Sequence, residues 1–151
     1  MTPQALEQIH RAAFTQDRPW RAAEFTDLLA SPHVTLHAAP YGFALTRTVA
    51  GESELLTIAV LPTHQRRGIA QALLLQWLAM LKNRADVAFL EVAADNAPAR
   101  GLYEKVGFAQ AGARPAYYAR ATGPAMDALL MRREMRMAQG AVSPLKSPES
   151  G

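Results

Sequence analysis

Cysteine is absent from the sequence. Its absence excludes disulfide bonds, thiolate metal sites, iron–sulfur clusters and every mechanism that needs a cysteine nucleophile. A chain without cysteine is compatible with a reducing compartment. The N-terminal segment, which carries Glu7 and His10, also lacks the layout of a signal peptide. We therefore expect a cytoplasmic protein.

Long apolar runs and a strong excess of charge are missing as well. The longest apolar segment, residues 70–81, is interrupted by Gln71 and Gln76 and is too short to cross a bilayer, so no membrane partner is expected. Charged residues make up 19% of the chain, and the net charge is only +3. That balance suits an anionic ligand such as a nucleotide but is too weak to predict a nucleic-acid partner.

Several motifs of metal sites and hydrolases are also missing. His33 and His37 are four residues apart, but Pro32, Val34 and Thr35 argue against a helix that would bring them together, so the sequence predicts no metal site. The Gly-x-Ser-x-Gly turn of serine hydrolases does not occur.

The 151 residues suffice for one domain. We assign residues 1–136 to a single domain and predict a disordered tail over 137–151, where Gln, Gly, Ser, Pro and Lys dominate. Hydrophobic periodicity predicts helices over 4–14, 21–30, 69–82 and 96–106. It predicts strands over 34–38, 42–47, 54–61, 87–93 and 128–131, with further extended chain after Phe108. The strand–helix–strand order in the middle predicts an α/β (α+β) fold, with a mixed sheet and helices on both faces.

The strongest chemical signal is the loop between strand 54–61 and helix 69–82, which reads Gln65-Arg66-Arg67-Gly68-Ile69-Ala70. The first N–H groups of a helix and its dipole favour an anion at this point. Gly68 allows the backbone to approach a phosphate closely, and the two arginines add positive charge. The pattern therefore indicates a phosphate or pyrophosphate site. The alternative is a solvated loop with two surface arginines. Neither the Walker pattern nor the dinucleotide-binding glycine pattern is present.

The loop resembles the acyl-CoA pyrophosphate motif of the GNAT superfamily of N-acetyltransferases. One position departs from the pattern, because Ala70 stands where these enzymes often have a second glycine. The resemblance covers residues 55–131, and within the superfamily it is similar to the bacterial ribosomal-protein alanine N-acetyltransferases. It also rests on Leu90-Glu91-Val92, Asn96, Ala99, Leu102-Tyr103-Glu104, Gly107-Phe108, Arg114, Tyr117-Tyr118 and residues 127–131.

This resemblance implies a mostly antiparallel central sheet with a splayed central strand pair, and acetyl-CoA as cosubstrate. It implies that Glu91 is the general base, that Tyr103 is the general acid and that Asn96 contacts the cosubstrate. The backbone that would bind the pantetheine arm and acetyl group belongs to Ile58, Ala59 and Val60. The residues that would surround the pyrophosphate are Arg66, Arg67, Gly68, Ile69, Ala70 and Gln71.

The two candidate catalytic residues also have plainer interpretations. Burial of Glu91 in an apolar strand would disfavour its charged form and so suit it to act as a base, whereas at a strand end it would face water. Tyr103 follows Asn96 by seven residues and shares nearly the same helix face, but it also fits as a packing residue. Trp20, Tyr117 and Tyr118 would either line a substrate groove or pack in the core.

The resemblance implies acetyl transfer to a protein N-terminus, with the N-terminal alanine of a small-subunit ribosomal protein as the expected acceptor. Without cysteine, the sequence favours direct attack in a ternary complex over an acyl-enzyme. Two alternatives remain open, namely acetylation of a small amine such as a polyamine, amino acid or aminoglycoside, and a non-catalytic acyl-CoA-binding module. We expect a monomer or a weak dimer.

Overall fold

Four α-helices and six strands follow the predicted order in the computed structural model, which describes residues 1–14 and 18–135. The predicted tail over 137–151 lies outside the described residues, as does Arg136 at the end of the assigned domain. The helices are α1 (Pro3–Ala13), α2 (Ala22–Leu29), α3 (Ile69–Leu81) and α4 (Ala97–Lys105). The strands are β1 (Val34–Ala39), β2 (Gly42–Val49), β3 (Glu52–Val60), β4 (Val87–Ala93), β5 (Ala109–Tyr118) and β6 (Met126–Glu134).

The strands form one sheet in the order β1-β2-β3-β4-β6-β5. The β3–β4 pair is parallel, as the connection through α3 requires, and the other neighbours are antiparallel. Strand β6 extends beyond the predicted 128–131 at both ends, because β4 and β5 pair with it on its two sides. The structure thus confirms the predicted fold class and its mostly antiparallel sheet.

Strands β3 and β4 separate soon after they meet. Their register runs only from Glu52 opposite Val87 to Glu54 opposite Phe89. Next to this point β3 contains a bulge, since Leu45 and Thr46 of β2 lie opposite Thr57 and Leu55 and leave Leu56 without a partner in the register. A bulge bends its strand and increases the local twist. This irregularity accompanies the splayed central strand pair, which the structure confirms.

Each face of the sheet carries its own hydrophobic core. On the α1/α2 face, Leu6 and Phe25 pack with Phe43 and Ala59 of the sheet. On the α3/α4 face, a larger cluster joins the buried side of α3 to β4, α4 and β6. Trp77 of α3 is fully buried there, and its Nε1 donates to Ser53 Oγ at 2.9 Å. Helices α1 and α2 thus pack on one face of the sheet and helix α3 on the other, with β3 between them. In the part of the chain that the structure describes, no helix is long and apolar enough to span a membrane.

His10 of α1 is a buried polar residue within the α1/α2 core. Its side chain has no solvent exposure, and its two ring nitrogens contact the Trp20 backbone N–H and the Thr57 hydroxyl, each at 3.0 Å. Desolvation lowers the pKa of His10 from 6.5 to about 4. The charge of Glu24 raises this pKa and the charge of Arg18 lowers it, each by a smaller amount. The folded protein therefore holds His10 in its neutral form near neutral pH.

We expect His10 to make stability depend on pH in a defined window. The unfolded chain protonates this residue near pH 6.5 and the folded chain only near pH 4, so the free energy of unfolding falls as the pH drops from 6.5 to about 4. The slope from one such proton is at most about 1.4 kcal/mol per pH unit. Urea denaturation of wild type and His10→Gln at several pH values in this window measures the difference.

The matched control is His33→Gln, at an exposed position, which should retain the wild-type pH dependence. If His10→Gln and wild type lose stability in parallel between these pH values, the neutral buried state assigned to His10 is wrong.

Candidate active site

A cavity of about 580 Å³ lies where β3 and β4 diverge. Its lining combines the end of α1 and the residues before α2, the second half of β3, the end of β4, and α4. Phe14 and Trp20 come from the α1/α2 side, whereas Leu102 and Tyr103 come from the α3/α4 side. The cavity is therefore accessible to groups from both faces of the sheet.

The start of α3 offers backbone amides without a local acceptor. Gly68 is its N-cap with a left-handed φ of 82°, and the helix has neither a side-chain cap nor an acidic residue in its first turn. The Ala72 N–H bonds to the Gly68 carbonyl at 2.9 Å, so the three preceding helical N–H groups point out of the helix. Such an end binds anions, and exposed Arg66 and Arg67 beside it add positive charge.

This helix end adjoins the cavity. Of the six residues expected around a pyrophosphate, Ala70 lines the cavity, and Arg66, Arg67, Gly68, Ile69 and Gln71 are not in its lining. Gln65 also lines it, and its side-chain amide donates to the Val60 carbonyl at 3.1 Å, which ties the loop to the end of β3. The geometry fits a diphosphate at the mouth with its attached chain running inward.

The second half of β3 supplies one cavity wall. Ile58, Ala59 and Val60 line it and pair with β2 on one side, while the register with β4 on the other side ends at Glu54. An extended ligand could hydrogen-bond along that unpaired edge as a neighbouring strand would. Asn96 also lines the cavity, and its Oδ1 caps α4 by accepting from the Ala99 N–H at 3.3 Å.

Glu91 lies on the α1/α2 face, because its neighbours Leu90 and Val92 are buried on the other face and side chains alternate along a strand. Its side chain is 23% exposed, and its carboxylate forms an ion pair with Arg114 Nε at 2.8 Å. Glu91 lines the cavity and also a groove of about 500 Å³ on the open part of this face. Its surroundings are more polar than the apolar residues beside it in the sequence suggest.

Tyr103 lies on the opposite face of the sheet. It is only 6% exposed, lines the cavity from α4 and packs edge-on against Phe108. Burial raises the pKa of the Tyr103 hydroxyl well above its ordinary value of 10, and nearby Tyr118 raises it further. The hydroxyl stays protonated over the working range of most enzymes and is available as a proton donor.

The structure also brings together residues that the sequence analysis did not select. Asp95 and Arg120 line the cavity and form a two-point ion pair, with distances of 3.1 and 2.9 Å. The Arg120 guanidinium lowers the pKa of Asp95 through this contact. They are 25 residues apart in the chain, and no spacing pattern pairs them. Three aromatic residues were expected either to line a substrate groove or to pack in the core. Trp20 and Tyr118 line the cavity, whereas Tyr117 is 52% exposed beneath the Arg114 guanidinium.

Residues 4–108 match the acetyltransferase (GNAT) family. The chain belongs to the GNAT acetyltransferase family. It is 39% identical to N-alpha-acetyltransferase RimI of Mycobacterium tuberculosis over 140 residues, covering 87% of this chain and 85% of the relative. It is 35% identical over 124 residues to the ribosomal protein bS18-alanine N-acetyltransferase of Escherichia coli, covering 79% and 83%. The crystal structure of the Escherichia coli ribosomal-protein-S18-alanine N-acetyltransferase superposes with a TM-score of 0.79 at 32% identity, covering 88% and 87%.

Family membership confirms three predictions. This GNAT protein is an acyltransferase, its cosubstrate is acetyl-CoA, and its sheet has the fold expected from residues 55–131. The described residues contain no cluster of three or more side chains suited to a metal ion. The cavity, with an anion-binding helix end at its mouth, is consistent with an acyl-CoA thioester reaching the gap between β3 and β4.

The helix-end interpretation predicts the effect of Gly68→Ala on acetyl-CoA binding. An added Cβ would meet no atom within 4 Å, so crowding contributes nothing and only the left-handed φ matters. That conformation costs an L-residue roughly 1–2 kcal/mol, and rotation away from it turns the amides off the anion. We expect several-fold weaker coenzyme A binding by calorimetry, with a smaller loss for Gly68→Asn.

Gly101→Ala is the matched control, since a Cβ there also meets nothing within 4 Å and the backbone is helical. It should stabilise the protein by about 0.5–1 kcal/mol and leave coenzyme A affinity unchanged. Equal affinities for Gly68→Ala and wild type would show that the amides of this turn do not bind the diphosphate.

Proposed function

We propose that this enzyme transfers the acetyl group of acetyl-CoA to the free α-amino group of a protein N-terminus, namely the N-terminal alanine of ribosomal protein bS18. The similarity to the Escherichia coli ribosomal protein bS18-alanine N-acetyltransferase supports this acceptor. The observation that carries the proposal is the placement of Glu91 and Tyr103 on opposite faces of the sheet at one shared cavity. The reaction would take place in the cytoplasm, where ribosomal proteins are made.

The proposed reaction separates its two proton transfers across the sheet. The acceptor amine arrives on the α1/α2 face and loses a proton to Glu91, directly or through water. The neutral amine attacks the thioester carbonyl and the C–N bond forms. As the C–S bond breaks, the nitrogen releases its remaining surplus proton to solvent, and the coenzyme A thiolate leaves on the α3/α4 face, where Tyr103 supplies its proton. Solvent then returns a proton to the Tyr103 oxygen. Backbone groups of Ile58, Ala59 and Val60, with Asn96 at the start of α4, would hold the cosubstrate.

Arg114 bears directly on the acceptor's arrival. Its guanidinium occupies the Glu91 carboxylate, yet its side chain is 60% exposed and can move into solvent at little cost. An incoming ammonium group carries the same charge and competes for the same oxygen atom. The acceptor's own amine can therefore replace the Arg114 guanidinium at the Glu91 carboxylate.

The choice of an α-amine over lysine follows from the acidity of the nucleophile. An α-amino group has a pKa of about 7.7–8.0 and a lysine about 10.4. Near neutral pH, deprotonation of lysine therefore costs some 3–4 kcal/mol more. One carboxylate suffices for the α-amine. The chain has no cysteine and so lacks the best acyl-enzyme nucleophile, which favours direct transfer within a ternary complex.

The role assignment predicts large kinetic losses for Glu91→Gln and Tyr103→Phe. Each variant should lower kcat by about 10²–10⁴, the range for a lost general base or acid. Release of free thiol from acetyl-CoA measures turnover, with a peptide that begins with alanine as acceptor. The same peptide with a blocked N-terminus should give no turnover, and mass spectrometry should place the added acetyl group on the α-amine of intact bS18.

Glu104→Gln and Tyr41→Phe are matched controls, because both positions are exposed and outside the cavity lining. They should retain wild-type kcat. Full activity in Glu91→Gln and Tyr103→Phe would refute the assigned roles. Faster acetylation of polyamines, amino acids or aminoglycosides than of the alanine peptide would instead refute the proposed acceptor.

A further inference from the structure

His10 is buried beside the cavity but takes no part in the proposed chemistry. It lies in the last turn of α1, outside the cavity lining. Its Nδ1 accepts the backbone N–H of Trp20, and its Nε2 contacts Thr57 Oγ1, both at 3.0 Å. Trp20 and Thr57 themselves line the cavity. The His10 imidazole thus joins two cavity residues, Trp20 and Thr57, that are 37 positions apart in the sequence.

These contacts define a single tautomer. A backbone N–H can only donate, so Nδ1 carries no proton. The neutral ring must then hold its proton on Nε2 and donate it to the Thr57 hydroxyl. Both nitrogens are satisfied in a site with no solvent exposure, which is the condition that a buried polar ring requires.

The ring also orders the aromatic side chains around it. It stacks on Phe14 with ring centres 3.9 Å apart and on Trp20 at 5.2 Å. Phe14 and Trp20, here called the aromatic wall, line the acceptor side of the cavity. Other polar contacts hold the start of α2, such as Glu24 with the Arg21 N–H at 2.9 Å. The Trp20 N–H, in contrast, is bonded to His10.

We propose that His10 is a positioning residue that holds the aromatic wall against β3 through the Trp20 N–H, so that the acceptor's first residue meets a preformed surface. This inference rests on the proposed function, because it places the acceptor on the α1/α2 face. Fixing the wall before binding removes the cost of ordering it when the acceptor arrives. Acetyl-CoA, bound along β3 and the start of α3, does not need that wall.

Two substitutions separate the two ring nitrogens. His10→Asn keeps an acceptor oxygen close to the position of Nδ1 and loses the donor to Thr57. His10→Gln reaches toward Thr57 and leaves the Trp20 N–H without its acceptor. Both remove the ring stacked on Phe14, so a purely structural role predicts similar losses of thermal stability and similar kinetics.

We expect His10→Gln to raise the KM for the alanine peptide about three- to tenfold, the factor that one net hydrogen bond provides. The KM for acetyl-CoA should not change, and His10→Asn should keep a peptide KM close to wild type. Equal peptide KM values for the two variants, or a rise in both KM values with His10→Gln, would overturn the proposal.

Acrylamide quenching of tryptophan fluorescence tests the same claim without an acceptor. The chain has two tryptophans, and Trp77 is fully buried, so the quenched fraction reports on half-buried Trp20. Quenching should increase in His10→Gln and stay near wild type in His10→Asn. If wild type fails to acetylate the peptide, the proposed acceptor is wrong while quenching still decides the role of His10. Unchanged quenching in His10→Gln refutes that role by itself.

Discussion

Strands β3 and β4 pair at Glu52–Glu54 and then separate, and the rest of the site depends on that separation. A continuous ladder would satisfy the facing backbone groups of β3 and fill the space between the strands. Two features maintain the opening. Helix α3 crosses between parallel strands and anchors β3 through the Trp77–Ser53 hydrogen bond, and the bulge at Leu56 bends β3 beyond the last pair.

The open strand pair also explains how one small domain separates opposing chemical demands. A diphosphate needs positive potential, which the start of α3 supplies through backbone amides and two exposed arginines. The proposed base, Glu91, is a carboxylate and would repel that anion at close range. The two are on different faces of the sheet, since Glu91 lies on the α1/α2 face and α3, whose start would hold the diphosphate, packs on the other face. Only the thioester has to reach the gap.

Local patterns predicted the elements and part of the site, because helix periodicity, Gly68 and the apolar run of β3 depend on nearby residues alone. The contacts that set the electrostatics depend on strand order. Glu91 of β4 contacts Arg114 of β5 because β6 pairs with both strands. Asp95 and Arg120, which follow β4 and β5 in the sequence, form an ion pair for the same reason. Neither the bulge at Leu56 nor the His10 contacts to Trp20 and Thr57 leave a spacing signal, because both depend on tertiary register.

The two sides of the cavity differ in what holds them. The cosubstrate side is built largely of main-chain groups, the first turn of α3 and the edge of β3, which many side chains can support. The acceptor side is built of side chains from separate elements, joined by single polar contacts such as His10 with Trp20 and Glu91 with Arg114. A substitution on the first side matters when it distorts the backbone or removes the positive charge of Arg66 or Arg67, whereas one on the second changes the surface that the acceptor meets. The Escherichia coli enzyme shares the fold at only 32% identity, which is compatible with a cosubstrate side built of main-chain groups and an acceptor side built of side chains. Differences in acceptor choice among such enzymes should therefore concentrate between α1 and α2 and along β5.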